Sequence, residues 1–545
     1  MLSIRLPHSL AYVVAILPGI LAGVTVAEQK PILETKPATS NPLDQDFSEF
    51  VKSTLESWKV PGLSIAVIDD QKIFAEGYGF ATLPDKPATP ETIWYGASTT
   101  KAYVAAALAS IIDGQNYSQL SQGWSTPISS LIRDDFVLQN EWSTAHVTLE
   151  DAASHRTGIG SLDMAALKEE NGVQETPKVI VRKLRHLPLF GEPRTKWVYS
   201  NAMYITLGHV LETLTGKWLG NVLKDIIWSP LGMKSTYFDL EDAVNAPEHL
   251  ASGYEWDPHQ NNYTEVPYIG VTQAGGSGAI FSNVLDYAKW VQSLLHETGP
   301  LSKAVHKDIK TPRMIADPLP SGGFDAVLYG LGWERTFLYN QLVYKHSGGM
   351  HAYGAYVYWL PQLQYGVVAF GNTAVTSNHV QNILITKLIA DKLGIPQKER
   401  FDFEASAREG LDKQANWMKH ALDNLYPDRP SAPLPATVDT SQLVGAYYHP
   451  GFGPIRLREE PDPNDSKRTV LKSDREEAEF SHGFTFQHVS GDHWIIYADM
   501  YTAIMNTAFR SEFQIGVDGK PSGLKIEFPN RGAGVAPAVP LFERM

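Results

Sequence analysis

No cysteine occurs among the 545 residues. Structural disulfides, thiol nucleophiles and thiolate metal sites are therefore excluded, and the fold must be held by its apolar core. Basic residues are also scarce: 46 Lys and Arg stand against 60 Asp and Glu, a formal charge of -14. A chain with no cationic surplus cannot neutralise a phosphate backbone, which argues against a nucleic-acid partner. Two hydrolase signatures are missing as well, the Gly-x-Ser-x-Gly elbow of α/β-hydrolases and the His-Glu-x-x-His of zinc hydrolases. His346 and His351 bracket a glycine pair and make a weak ligand pair, so neither a metal nor a cofactor is expected.

The one long apolar run is N-terminal. Arg5 and His8 precede residues 10–26, and Thr25-Val26-Ala27 offers small residues for cleavage. Residues 1–27 read as a secretory signal peptide rather than an anchor, because the run barely reaches spanning length. Secretion agrees with sequons at Asn116, Asn262 and Asn464, each a glycosylation candidate. Residues 28–42 are polar and proline-bearing, a flexible leader. No membrane span is expected in the mature chain.

What is present is a nucleophile pattern. Ser98-Thr99-Thr100-Lys101 stands just ahead of an apolar helical run carrying Val104, Leu108, Ile111 and Ile112. Residues three apart at a helix start share a face, so the Lys101 amine can reach the Ser98 hydroxyl. A serine hydroxyl needs such a neighbour to attack a carbonyl. Ser522-Gly-Leu-Lys525 matches too, but in a hairpin-like stretch where residues three apart face opposite ways, and it is read as a decoy.

Two further clusters carry chemistry. Tyr199-Ser200-Asn201 opens a helix closed by Gly216. A tyrosine there can relay a proton beside an ammonium, and Asn201 offers both a donor and an acceptor. Alternatively, Tyr199 simply caps a core helix. His346-Ser347-Gly348-Gly349 ends one strand-like run and precedes another, with glycines that let a substrate approach exposed N–H groups. Tyr95, Tyr254, Trp256, Tyr268, Trp333, Tyr353 and Tyr358 are aromatic candidates for a pocket, with core packing the commoner role.

Around these clusters the chain opens with a helix stopped at Pro61-Gly62 and a hairpin over residues 63–79. A long helical middle follows, then strands at 341–346, 351–359 and 365–370, and a closing helix to Gly394. This is an α+β pattern: an antiparallel sheet built from both ends of the segment, with helices on it. Residues 396–437 read as a helical bridge and proline-rich linker, and 438–545 as a small all-β domain.

Ser-x-x-Lys, Tyr-x-Asn and His-Ser-Gly in that order resemble the serine β-lactamase and penicillin-binding-protein group, whose third element is Lys-Thr-Gly. More narrowly the chain resembles the class C-related branch, which includes D-amino-acid peptidases, carboxylesterases and transacylases. Pro61-Gly62-Leu63-Ser64, Gly77-Tyr78-Gly79, His155-Arg156-Thr157-Gly158, Pro230-Leu231-Gly232-Met233 and Ala274-Gly275-Gly276 support that branch. The resemblance spans about residues 44–395, giving a catalytic domain over 43–395. The tail from Leu443-Val444-Gly445 is similar to a lipocalin-like barrel.

The resemblance implies Ser98 as the acylated nucleophile, Lys101 as its proton-shuttling partner and Tyr199 as general base and then acid. Asn201, His346 and Ser347 would bind substrate, and backbone N–H groups of Ser98 and Gly349 would form the oxyanion hole. Whether Lys101 or Tyr199 is the first base stays open. His346 stands where β-lactamases place a cationic lysine, so esters or neutral amides are expected in preference to penicillins. The expected function is a secreted serine hydrolase of small esters or amides. The alternatives are an acyltransferase and a non-catalytic binder on the same fold.

Overall fold

The strand Gly62–Asp69 is buried along its whole length, and its alternate side chains serve two cores. Leu63, Ile65 and Val67 face one side, where they join Phe47, Val51 and Leu55 and, from the closing helix, Val380, Leu384 and Leu388. Ala66 and Ile68 face the other, with Tyr287 and Val291 of the helix Val284–His296. Covering both faces with helices is what allows a strand to read as a nearly continuous apolar run.

The computed structural model describes residues 41–160, 163–170, 172–462, 465–500, 507–528 and 537–545. The signal peptide 1–27, nearly all of the leader 28–42 and the sequon at Asn464 lie outside them. Asn116 and Asn262 are exposed. Among the described residues no helix is long and apolar enough to cross a membrane.

The large antiparallel sheet has nine strands. Gly62–Asp69 lies between Tyr365–Gly371 and Lys72–Thr82, so the two ends of the segment pair within the sheet. Gln45–Trp58 is started by the Asp44 carboxylate, which accepts from the Phe47 amide at 2.9 Å, and is ended by Lys59 in the left-handed region. Asn201–Thr215 ends at Gly216, as the sequence indicates. The helical middle continues as Leu219–Leu223 followed by a wider π turn, Lys224–Trp228.

One turn differs from expectation in a way that shapes the site. The sequence places a strand break at Gly348-Gly349, but the strand Gln341–Met350 runs through both glycines. The chain reverses at His351-Ala352, with Ala352 at φ 52°, before Tyr353–Leu360. These glycines serve a close approach rather than a turn, as the site shows.

Phe403–Lys419 and Ala421–Leu425 form the bridge. Beyond the linker, eight strands from Gly445–His449 to Leu541–Arg544 close into a barrel, the first pairing with the last. Phe484, Phe486, Trp494, Phe513 and Phe542 are buried within it. Ser522 and Lys525 lie on the strand Pro521–Glu527, where Ser522 donates to the Gln514 carbonyl, far from any partnership with each other.

Candidate active site

The nucleophile pattern folds as a tight turn running into a helix. Ala97–Thr99 is a 3-10 turn and Thr100–Gly114 continues it. Both threonines bond back to the turn: Thr99 Oγ1 donates to Gly96 O and Thr100 Oγ1 to Ala97 O, each at 2.7 Å. Ala97 takes φ 47°, a conformation that costs a non-glycine residue about 1 kcal/mol or more, next to the half-buried Ser98.

Lys101 is fully buried, and its ammonium is ringed by oxygen. Nζ lies 3.1 Å from Ser98 Oγ, 2.8 Å from Asn201 Oδ1 and 2.7 Å from the Ser277 carbonyl. The Tyr199 hydroxyl donates to Ser98 Oγ at 3.0 Å, and Lys101 Nζ sits 5.0 Å from the Tyr199 ring centre. Ser98, Lys101, Tyr199 and Asn201 therefore form one bonded group, although Tyr199 and Asn201 are about a hundred residues downstream of the serine.

Each member is held from outside. His155 O accepts from the Val198 amide at 2.8 Å and His155 Nδ1 from the Ser200 amide at 3.0 Å, which brackets Tyr199. Burial first, then the Lys101 charge, lowers the His155 pKa well below the usual imidazole range and keeps the ring neutral. Gly276 lets the Ser277 turn touch the helix Asn201–Thr215, since a Cβ there would lie 2.1 Å from Tyr204 O. Gly348 does the same for the sheet: a Cβ would lie 2.4 Å from Gly96 O, whereas one on the exposed Gly349 meets nothing. The strand is thus drawn against the nucleophile turn, bringing Gly349 and Ser98 into the wall of one cleft.

His346 has a different place from the substrate-binding one expected for it. The ring is 3% exposed and both nitrogens are engaged: Tyr329 OH donates to Nε2 at 3.0 Å, and Nδ1 donates to the Ser347 carbonyl at 2.6 Å. Burial, partly offset by the Glu334 carboxylate, lowers its pKa to about 4. A neutral ring engaged in this way supports the site from behind and has no nitrogen to offer a substrate. Ser347 is half-buried and, like His346, is not among the residues lining the cleft. Lys345 is paired with Glu334 at 2.7 Å and does not replace the missing cation. His351 stacks on Phe480 rather than pairing with His346. None of the seven candidate pocket aromatics lines the cleft; Tyr95, Trp333, Tyr353 and Tyr358 are core.

The cleft encloses about 690 Å³ including its open mouth. Ser98, Asn201 and Gly349 stand at its reactive end, Ile180, Leu184, Ile205, Val271 and Met350 supply apolar wall, and Gly451, Glu479 and Phe480 come from the barrel. The Ser277 carbonyl, His155 and the barrel residues have no role in the sequence reading. His155 lies in a stretch quoted only for family resemblance, Ser277 directly follows another, and nothing in the local pattern marks the barrel residues.

A buried lysine and a tyrosine converging on one serine, beside an antiparallel sheet flanked by helices, define a serine hydrolase of the β-lactamase type. The beta-lactamase family model matches residues 44–390, and the chain belongs to that family. It is 36% identical over 491 residues to the unguisins hydrolase ungD' of Aspergillus campestris, covering 90% of each chain. It is 37% identical over 509 residues to the unguisins hydrolase ungD of Aspergillus violaceofuscus, covering 89% of this chain and 88% of that one. Among solved structures, the octameric penicillin-binding protein homologue from Pyrococcus abyssi matches with a TM-score of 0.56 at 20% identity, over 91% of this chain and 99% of that one. That likeness spans the barrel as well as the β-lactamase fold.

Proposed function

We propose that the protein hydrolyses an amide or ester through an acyl-enzyme on Ser98. The observation that carries this reading is the double contact on one oxygen, with Lys101 Nζ at 3.1 Å and Tyr199 OH at 3.0 Å from Ser98 Oγ. Asn201 Oδ1 and the Ser277 carbonyl are acceptors and occupy two N–H groups of Lys101, which favours its ammonium form. In its phenolate form beside that ammonium Tyr199 accepts the hydrogen bond from Ser98 instead of donating it, and is then the first base. Ser98 Oγ bonds to the substrate carbonyl carbon while its proton passes to Tyr199. The carbonyl electron pair moves onto oxygen, which the backbone N–H groups of Ser98 and Gly349 receive. Collapse breaks the bond to the amine or alcohol, which leaves with the proton from Tyr199. Water repeats the sequence in reverse and frees Ser98.

The two relatives at 36% and 37% identity, each covered almost end to end, put unguisins first among compounds to test. The N-terminal signal pattern supports secretion. The test is an alkyl fluorophosphonate followed by mass spectrometry of the Ser98 peptide, beside turnover of an ester and amide panel that includes unguisins. An adduct on Ser98, with turnover lost in Ser98→Ala, is expected. No adduct and no turnover from folded protein would leave a non-catalytic binder. A product that carries an added amine or alcohol instead of water would make the enzyme an acyltransferase.

A further inference from the structure

The barrel supplies part of the Ser98 cleft through a fixed loop, residues 476–481. Ala478 and Leu167 form an antiparallel bridge, with Lys168 N–H on Glu477 O at 2.8 Å and Glu479 N–H on Ala166 O at 2.9 Å. Lys168 Nζ reaches Ser481 Oγ at 3.1 Å. At the base of the loop the buried Arg475 donates to Glu477 Oε1 at 2.9 Å and to Phe452 O at 2.6 Å. Phe480 then stacks on His351 at 4.8 Å and 17°, one residue beyond Met350 of the cleft wall. A loop tied at this many points is a roof, and it places Glu479 and the apolar ring of Phe480 at the cleft.

The charges in that space are equally specific. Among the described residues lining the cleft the one cation is Lys183, and its ammonium is paired with Glu175 and lies 3.4 Å from Glu170. Lys101 is held by Ser98, Asn201 and Ser277. Glu479 adds a carboxylate, and His346 is neutral behind Tyr329. A substrate carboxylate would exchange water for a largely apolar wall whose one cation, among the described residues, is already paired, which is unfavourable.

We propose that Phe480 is a specificity-determining residue of the Ser98 cleft, and that the cleft selects an apolar acyl group lacking a carboxylate; the inference rests on the acyl-enzyme reading above. Full-length protein is assayed on p-nitrophenyl acetate, butyrate, pentanoate and octanoate, and on the mono-p-nitrophenyl ester of glutaric acid. Wild type is expected to prefer butyrate to acetate and to turn over the glutarate ester at least about tenfold more slowly than pentanoate, the scale on which an apolar pocket discriminates. Phe480→Ala raises the octanoate-to-butyrate ratio of kcat/KM about fivefold or more. Phe480→Leu returns the ratio toward wild type. An unchanged ratio, a proportional loss on every ester, or equal turnover of glutarate and pentanoate esters overturns the proposal. If wild type turns over none of them, the esters are titrated calorimetrically into Ser98→Ala. Binding whose chain-length dependence Phe480→Ala alters retains the pocket and discards the chemistry, whereas absent binding discards both. Turnover without Phe480 dependence retains the chemistry and discards the pocket.

Discussion

The ring of His155 lies 4.4 Å from that of Tyr199, and its Nδ1 accepts the amide hydrogen of Ser200, the next residue along. One imidazole thus fixes both the face of the tyrosine and the backbone that carries it. His155 itself sits at φ 58° and is fully buried, so its position is set by the surrounding chain rather than by solvent.

Replacing His155 by Phe keeps the ring and removes the acceptor. The Ser200 N–H is then buried without its partner, costing about 1–3 kcal/mol of stability. The Tyr199 hydroxyl loses its alignment on Ser98, for which a fall in kcat of roughly 10–100-fold is expected with KM little changed. Urea unfolding and steady-state kinetics on one ester check the two effects separately. An unchanged kcat would show that Tyr199 is held without the imidazole.

Gly348 and Gly349 give a contrast between neighbours. A Cβ at Gly348 would lie 2.4 Å from Gly96 O and press on Ala355 and Ala97, so Gly348→Ala must push the strand away from the nucleophile turn. Gly349 would move from Ser98, and kcat should fall by about 10²–10³, the scale for losing one oxyanion donor. Gly349→Ala meets no atom within 4 Å and should leave kcat within about tenfold, raising KM as its methyl enters the cleft. Equal losses in both variants would argue against a role for the strand position.

Much of this site was legible because it is local. Ser98 and Lys101 share a helix start and Tyr199 and Asn201 stand at another, so spacing and context nominate both pairs and the family resemblance gives them roles. The strand Gln341–Met350 was misread at its end because two adjacent glycines signal a turn. Here Gly348 is needed for contact with Gly96, a residue some 250 positions earlier in the chain, and a sequence pattern does not carry that distance. His346 was placed correctly beside the site but assigned a contact with substrate, since burial behind Tyr329 depends on a strand, Val327–Tyr329, whose pairing is not visible locally. Phe480 was beyond reach for the same reason: its function arises only where the barrel docks against residues 166–168.

The place of His346 also predicts what a β-lactamase-like substitution fails to do. Wild type should hydrolyse p-nitrophenyl butyrate far faster than a chromogenic cephalosporin. His346→Lys should not reverse this, because the new ammonium would be buried at the back of the site near Lys101 rather than in the cleft. It should cost a few kcal/mol of stability, roughly 3 or more, as an unpaired buried charge. Denaturation midpoints and both substrate rates test it, and a tenfold gain in cephalosporin turnover would mean that position 346 faces the substrate after all.

Buried histidines set the acid limit of the fold. His346, His351 and His482 are each lowered to about 4, burial being the largest cause, against an ordinary value near 6.5 in the unfolded chain. Between those values the unfolded chain binds more protons than the folded one, so stability is full above about pH 6.5 and falls as pH drops toward 4. Each such group adds a slope of up to about 1.4 kcal/mol per pH unit. His351 is the member that can be exchanged with least disturbance, because its neighbour Phe480 already stacks on it and neither ring nitrogen has a hydrogen-bond partner among the described residues. His351→Phe removes one of these proton uptakes, and its unfolding free energy should gain about 2 kcal/mol on wild type between pH 7 and pH 5. Urea unfolding at pH 7, 6 and 5 measures that difference. Parallel curves for the two proteins would show that His351 titrates normally and is reached by water, and the roof over the Ser98 cleft would then not be closed at that point.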